Sequence, residues 1–526
     1  MGNRIWLKIW NAKPPRTVLF IINAIIALIM ASPILYIVIR AASAPLEKWK
    51  VLFATRIPLI LWDTLSLAGA VAAFTTVIGV SLAYLVECTD LSCRKFLKVA
   101  LTLPLAIPPY IGALTYIIIF GKRGVLFSLL GSSVIDIYSF WAVTFVMSMF
   151  TFPYVFLIVS AALRKISANY EEAGRSCGAS YSSIFRHITL PLIMPAVISG
   201  NIIVFFYIIS DFGAVAMLRY TTFTSSVYFQ MIGKLDRSGA AILSILTIGL
   251  GLIVLLIKNQ IQKNRAFFIN PKSNRPPKAI KLEKYKILCM IFAVVVMFFS
   301  IILPLSTLIL WSIKGILAGA VTVKMAGYIM NSLYVSIGAA AITMLFSVPI
   351  AYFKFRHPSK ITTLMNNMCH LGLIIPGTLL ALGMVFVVNR YFNWLVGSQL
   401  ILIFGLALRY FSRSLQSAEA SMSLISPIID ETAYSLGKRF GSVLFRVILP
   451  SILPGVLSGG ALVLVSSMKE LPVTLMLRPA GFDTLAVRIW VQASDGFYTQ
   501  AAPSGLLIVI VSLLPLYFLT KKEKGG

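Results

Sequence analysis

Few residues in this chain could do covalent chemistry. Its 526 residues hold 17 acidic side chains, three histidines and five cysteines, which leaves little room for a catalytic pair of carboxylates. His187, His357 and His370 share no ligand spacing, Cys88 and Cys93 stand without a second pair, and no metal site is expected. No Gly-x-x-x-x-Gly-Lys-Ser/Thr loop is present to cradle nucleotide phosphates. The spacing that does recur is mechanical. Residues 171–195 read EEAGRSCGASYSSIFRHITLPLIMP, and residues 430–454 read DETAYSLGKRFGSVLFRVILPSILP. Glu172, Gly178, Leu190 and Pro191 align with Glu431, Gly437, Leu449 and Pro450 at one offset of 259.

The apolar positions repeat as well. Ile166, Tyr170, Ala173, Cys177, Tyr181, Ile184 and Ile188 correspond to Ile425, Ile429, Thr432, Leu436, Phe440, Val443 and Val447. Steps of three and four place such a stripe on one side of a helix. Gly178 and Gly437 interrupt it, which predicts two short helices joined at a turn where the chain needs freedom in φ. An ordinary amphipathic hairpin between membrane spans would explain one copy, but two in register ask for more.

The pattern Glu-Ala-x-x-x-x-Gly, nine further residues, then Ile or Val, any residue, Leu-Pro resembles the cytoplasmic coupling motif of binding-protein-dependent ABC import permeases. That resemblance implies an ATPase-coupling role for Glu172, Ala173, Gly178, Ile188, Leu190 and Pro191, and for Glu431, Gly437, Val447, Leu449 and Pro450. It implies two copies of a cytoplasmic ABC ATPase, each receiving one motif as a helix laid in a groove. ATP and magnesium would bind to those partners, and this chain would be a transport permease that binds no cofactor and is not an enzyme. Glu172 and Glu431 are expected to orient the contact or cap a local turn.

These motifs need a scaffold, and composition defines it. The chain is 59% hydrophobic and 12% charged, with a mean hydropathy of +0.91, more apolar surface than a soluble protein of this length can hide. The expected fold is an all-α polytopic membrane protein of about twelve transmembrane helices. Spans are read near residues 17–39, 58–86, 99–120, 139–163, 195–211 and 239–257, and again near 287–311, 333–353, 371–388, 398–415, 454–477 and 503–520. Pro104, Pro108 and Pro109 must distort the third span, which places it near the pathway.

Residues 1–257 and 287–526 form two parallel six-span repeats, joined by a basic linker, 258–286, with nine Lys or Arg against one Glu. Leu65, Ala83 and Tyr84 align with Leu333, Ala351 and Tyr352 at an offset of 268, so about nine residues are lost between there and the coupling motif. The net charge of +29 gathers between apolar runs. It therefore reads as a topology signal and an attraction to lipid headgroups, not as a nucleic-acid site. The expected location is the bacterial inner membrane, as a multi-pass protein.

Asp211 aligns with Glu470, and Arg219 with Arg478, near the expected outer ends of the fifth and eleventh spans. With Lys469, they are candidates for the substrate path or for docking a donor protein, against the alternative of side chains snorkelling to the interface. Nearly all charges are expected at span ends, which argues against an ion-coupled secondary transporter. The stretch MKELPVTLMLRPAGFDTLAVRIW, with DFGAVAML in the first half, resembles the fused two-half permeases for ferric iron. This resemblance implies a periplasmic substrate-binding protein that delivers the ion. Permeases for thiamine, phosphonates and polyamines share the layout and remain alternatives.

Overall fold

The computed structural model describes residues 16–122, 124–132, 135–263, 279–319 and 323–523. Most of the basic linker and the N-terminal Arg4, Lys8 and Lys13 lie outside the described residues. Those described are overwhelmingly helical, with one isolated bridge between Thr89 and Ile280. Nine helices among them are long and apolar enough to cross a membrane. Gly377–Tyr391 and Tyr498–Leu513 are shorter apolar helices, and Gln399–Met422, which carries Arg409, Arg413 and Glu419, is not among the nine. In hydrocarbon a backbone must satisfy its own polar groups, so apolar runs of this length fold as helix.

Prolines mark where the helices break. The third expected span divides into Arg94–Ala100, a 3-10 turn Leu103–Ala106 and Pro109–Phe120, as its three prolines require. The second half repeats the break, with Leu371–Ile374 ending before Pro376 and Gly377–Tyr391 beginning after it. Phe185–Thr189 and Leu444–Ile448 are π turns, each just before a Leu-Pro pair. The proline cannot donate to the preceding turn and crowds its carbonyl, and the widened turn accommodates this.

The repeat is visible residue by residue. Phe140–Leu163 matches Gln399–Met422, Ala168–Ser176 matches Pro427–Ser435, and Tyr181–Ile184 matches Phe440–Val443, all at the offset of 259. Pro109 and Gly377, which open matching helices, still stand at 268. The shortening therefore falls in the connection that leads into Gln399.

Packing groups the helices differently from chain order. One compact unit contains residues 1–44 and 322–488, and the other contains 45–321 and 489–526. In the first, Arg16–Ala42 packs on Gly377–Tyr391. Gly383 sits against the Pro33 carbonyl with no room for a Cβ, and Tyr36 meets Phe386 at 5.9 Å between ring centres. In the second, the Tyr116 hydroxyl donates to the Phe299 carbonyl at 2.7 Å, and Gly315 lets Leu303–Leu317 close on the Thr499 carbonyl of the last helix. Each unit thus takes helices from both ends of the sequence.

Candidate coupling helices and a polar cluster at a helix break

Both coupling motifs fold as the glycine spacing requires. Ala168–Ser176 begins at Ser167, whose hydroxyl accepts from the Asn169 N–H at 3.4 Å. Pro427–Ser435 begins at Ser426, which accepts from Ile428 at 3.3 Å. The ends are alike too. Gly178 donates to Arg175 at 2.9 Å and Ala179 to Gly174 at 3.1 Å, while Gly437 donates to Tyr434 at 2.9 Å and Lys438 to Ala433 at 3.1 Å. This paired closure places a left-handed residue just past the helix, and φ is +81° at Gly178 and +72° at Gly437. Nothing lies within 4 Å of a Cβ built on either glycine, so backbone conformation alone demands glycine there.

Serines thus cap the starts of both helices. Glu172 and Glu431 are exposed. The buried acid is the neighbouring Asp430, 4% exposed, which no sequence signal singled out beyond its place in the motif. Arg356 holds it through two nitrogens, Nε to Oδ2 at 2.7 Å and Nη2 to Oδ1 at 3.0 Å, while Nη1 donates to the Ile425 carbonyl at 3.2 Å. The first-half equivalent is Glu171, whose carboxyl is pushed up by burial, with Arg175 opposing the shift.

Part of the apolar stripe stays uncovered. Tyr170 and Tyr181 are exposed in one motif, and Ile428, Ile429 and Leu436 in the other, whereas Ile184, Phe440 and Val443 are buried. Ala173, Pro191 and Pro450 are exposed, and Ile188, Leu190, Val447 and Leu449 are half-buried. Ile188 lies against Gly174. Each motif thus has one side rooted in the protein and one apolar side free.

The substrate-path candidates separate. Asp211 accepts from the N–H groups of Ala214 at 3.0 Å and Val215 at 3.2 Å and so caps the short helix Gly213–Met217. Arg219 has φ +54° and places its guanidinium 4.9 Å from the centre of the Tyr138 ring. Arg478 pairs with Asp483, which Arg488 also approaches at 3.4 Å. Lys469 and Glu470 belong to a larger polar group around Tyr410.

That group overturns one expectation. The eleventh span does not run unbroken to Leu477, because Leu449–Met468 stops, Lys469, Glu470 and Leu471 turn, and Pro472–Leu477 follows. Glu470 is also held inside the protein. The Tyr410 hydroxyl donates to its Oε2, and Tyr410 lies in the middle of Gln399–Met422, about 17 Å along the helix from Gln399 at 1.5 Å per residue.

Arg409 and Arg413, absent from the sequence reading, flank Tyr410, with guanidinium carbons 5.9 Å and 5.1 Å from the ring centre. Their i, i+4 spacing inside LALRYFSRSL was the available signal. Arg409 donates to the carbonyls of Gly372 and Ile375, and so satisfies the end of the broken ninth span. Arg413 donates to the Ser466 hydroxyl. Glu470 is 8% exposed. Its Oε1 accepts no hydrogen bond among the described residues and lies 2.5 Å from where a Gly377 Cβ would be.

A helical, multi-pass chain with two identically built, half-exposed coupling helices is the architecture that a permease of the binding-protein-dependent ABC import class requires. Residues 75–266 match the family described as binding-protein-dependent transport system inner membrane component. More particularly, the chain is similar to the Fe(3+)-transport system permease protein FbpB 2 of Haemophilus influenzae, 28% identical over 94% of this chain and 96% of that protein. It is also similar to the ferric transport system permease protein FbpB of Actinobacillus pleuropneumoniae, 23% identical over 90% of this chain and 72% of that one. A probable sulfate transport system permease protein, cysT of Chlorella vulgaris, is 27% identical over 38% of this chain and 77% of its own length. Permeases of this class work with an ATPase and a binding protein, and do not themselves catalyse a reaction.

Proposed function

We propose that this chain is the complete translocation path of a ferric iron importer in the bacterial inner membrane. A periplasmic binding protein hands the ion over, and two copies of a cytoplasmic ATPase, loaded with ATP and magnesium, drive it through. Residues 1–257 and 287–526 act as the two permease halves, and 258–286 tethers them. The carrying observation is the similarity to a ferric permease along 94% of the chain, joined to two coupling helices of one design.

Each ATPase grips the exposed apolar side of one motif, through Tyr170 and Tyr181 or Ile428 and Leu436. The turns at Gly178 and Gly437 set the angle at which the grip meets the spans. Closure of the ATPase pair then pulls on Leu190–Ser210 and Leu449–Met468, which continue from the motifs, and so reaches the breaks at Asp211 and Glu470. Arg219 and Arg478 serve docking of the donor on the far side.

Competition tests the cargo. Vesicles containing the chain, its ATPase and the iron-loaded binding protein should import labelled ferric iron undisturbed by excess thiamine, methylphosphonate or spermidine. Displacement by any one of these would reassign the substrate.

A further inference from the structure

We infer that the cluster around Glu470 is an oxyanion site, and that the cargo crosses the C-terminal half as a ferric ion still carrying a small oxyanion ligand such as phosphate or citrate. The inference rests on the ferric reading for the metal, and on the cluster alone for the anion.

Arg409, Arg413 and Lys469 face a single carboxylate, Glu470. None of the three cations lies within ion-pair distance of it among the described residues. Arg409 is committed to two carbonyls. Among the described residues Arg413 makes one hydrogen bond, to Ser466, and Lys469 makes none, yet both remain partly exposed beside buried neighbours. Two under-used cations among buried neighbours are costly unless something anionic meets them.

A bare ferric ion would be repelled there. A ferric ion with an oxyanion has both partners: the unpartnered Glu470 Oε1, a hard oxygen donor suited to the metal, and Arg413 with Lys469 for the anion. The broken spans bring these groups together, since Glu470 follows one helix end and abuts Gly377 at the start of another helix. The first half lacks the cations. At the same offset it has Phe150, Tyr154 and Ser210 in place of Arg409, Arg413 and Lys469, so the site belongs to one half.

The test is calorimetric titration of the full chain in lipid nanodiscs with phosphate, citrate and ferric citrate, paired with ferric uptake in vesicles containing the ATPase and binding protein. Phosphate or citrate should bind, and Arg413→Gln or Lys469→Gln should weaken binding and uptake at least tenfold. Lys469→Arg should preserve both and control for folding. Equal binding in zwitterionic and phosphatidylglycerol discs identifies a free oxyanion, whereas loss of binding only in the anionic discs assigns the site to a lipid phosphate and overturns the co-transport claim. Ferric uptake unaffected by both Gln variants, with no anion bound, overturns the site and leaves the ferric reading standing. Anion binding that both variants abolish, without any ferric uptake, overturns the ferric reading and leaves the site.

Discussion

Arg356 closes a two-point ion pair on Asp430, 2.7 and 3.0 Å long, and both side chains are almost fully buried, at 6% and 5% exposure. The pair ties the end of Val323–Arg356 to the second coupling helix. Tyr352 adds a 3.4 Å hydrogen bond to the same carboxylate. In the first half, Cys88 stands in the place of Arg356 at the 268 offset, so that coupling helix has no equivalent cation. Removing one partner of a buried pair costs about 3–5 kcal/mol. Arg356→Ala should therefore loosen the second motif and cut transport-coupled ATP hydrolysis severely, while Cys88→Ala leaves coupling intact. Limited proteolysis near Leu436, together with ATPase rates in vesicles, checks both outcomes.

Gly437 has φ +72° with open space around its missing Cβ. A β-branched side chain there meets no neighbour but must adopt a left-handed backbone, at about 1–2 kcal/mol or more. Gly437→Val should lower ATPase co-purification, and Gly437→Asn, which tolerates that conformation, should restore most of it. Equal recovery of ATPase with the valine variant would show that the turn does not set the grip.

The Tyr410 hydroxyl is the hydrogen-bond donor to Glu470 among the described residues. Tyr410→Phe keeps the ring between the two arginines and strips that donor from a buried carboxylate. The expected loss is about 1–3 kcal/mol, measured as a fall in thermal unfolding temperature in detergent. Adding Glu470→Gln to Tyr410→Phe should recover part of it, because the charge no longer needs solvation.

Asp236 gives a pH-dependent clamp. It accepts from Lys48, from the Gln230 amide at 2.8 Å and from the Gly239 N–H at 3.1 Å. Burial pushes its carboxyl up, but these donors and the Lys48 charge outweigh burial and hold it below the usual carboxylate range. A depressed value means that the stabilisation is present above the ordinary pKa of about 3.9 and is lost as pH falls through the lower folded value. Unfolding temperatures followed from pH 6 downward should therefore decline below roughly pH 4, and Lys48→Met should flatten that decline.

The coupling motifs were legible because they depend on local rules: a stripe at helical spacing and a glycine whose φ no other residue adopts comfortably. The proline breaks of the third span were legible for the same reason. The burial of Glu470 against Tyr410 was not. Residues 454–477 read as one apolar run, and only the turn at Lys469–Leu471 shows that the chain stops and restarts beside Tyr410. Arg409 and Arg413 give no signal in composition, because their meaning lies in sharing one helix face beside Tyr410. The grouping of Arg16–Ala42 with second-half helices was out of reach. Chain order does not state which apolar face meets which, and a match as specific as Gly383 on Pro33 appears only once both helices are placed.

Uptake of labelled ferric iron into sealed vesicles, with the ATPase and ATP enclosed and the loaded binding protein outside, tests the central claim most directly. The account predicts uptake that needs both the enclosed ATPase and hydrolysable ATP, and that continues when ionophores collapse proton and sodium gradients. Uptake that proceeds without the ATPase and ends when those gradients collapse would contradict it.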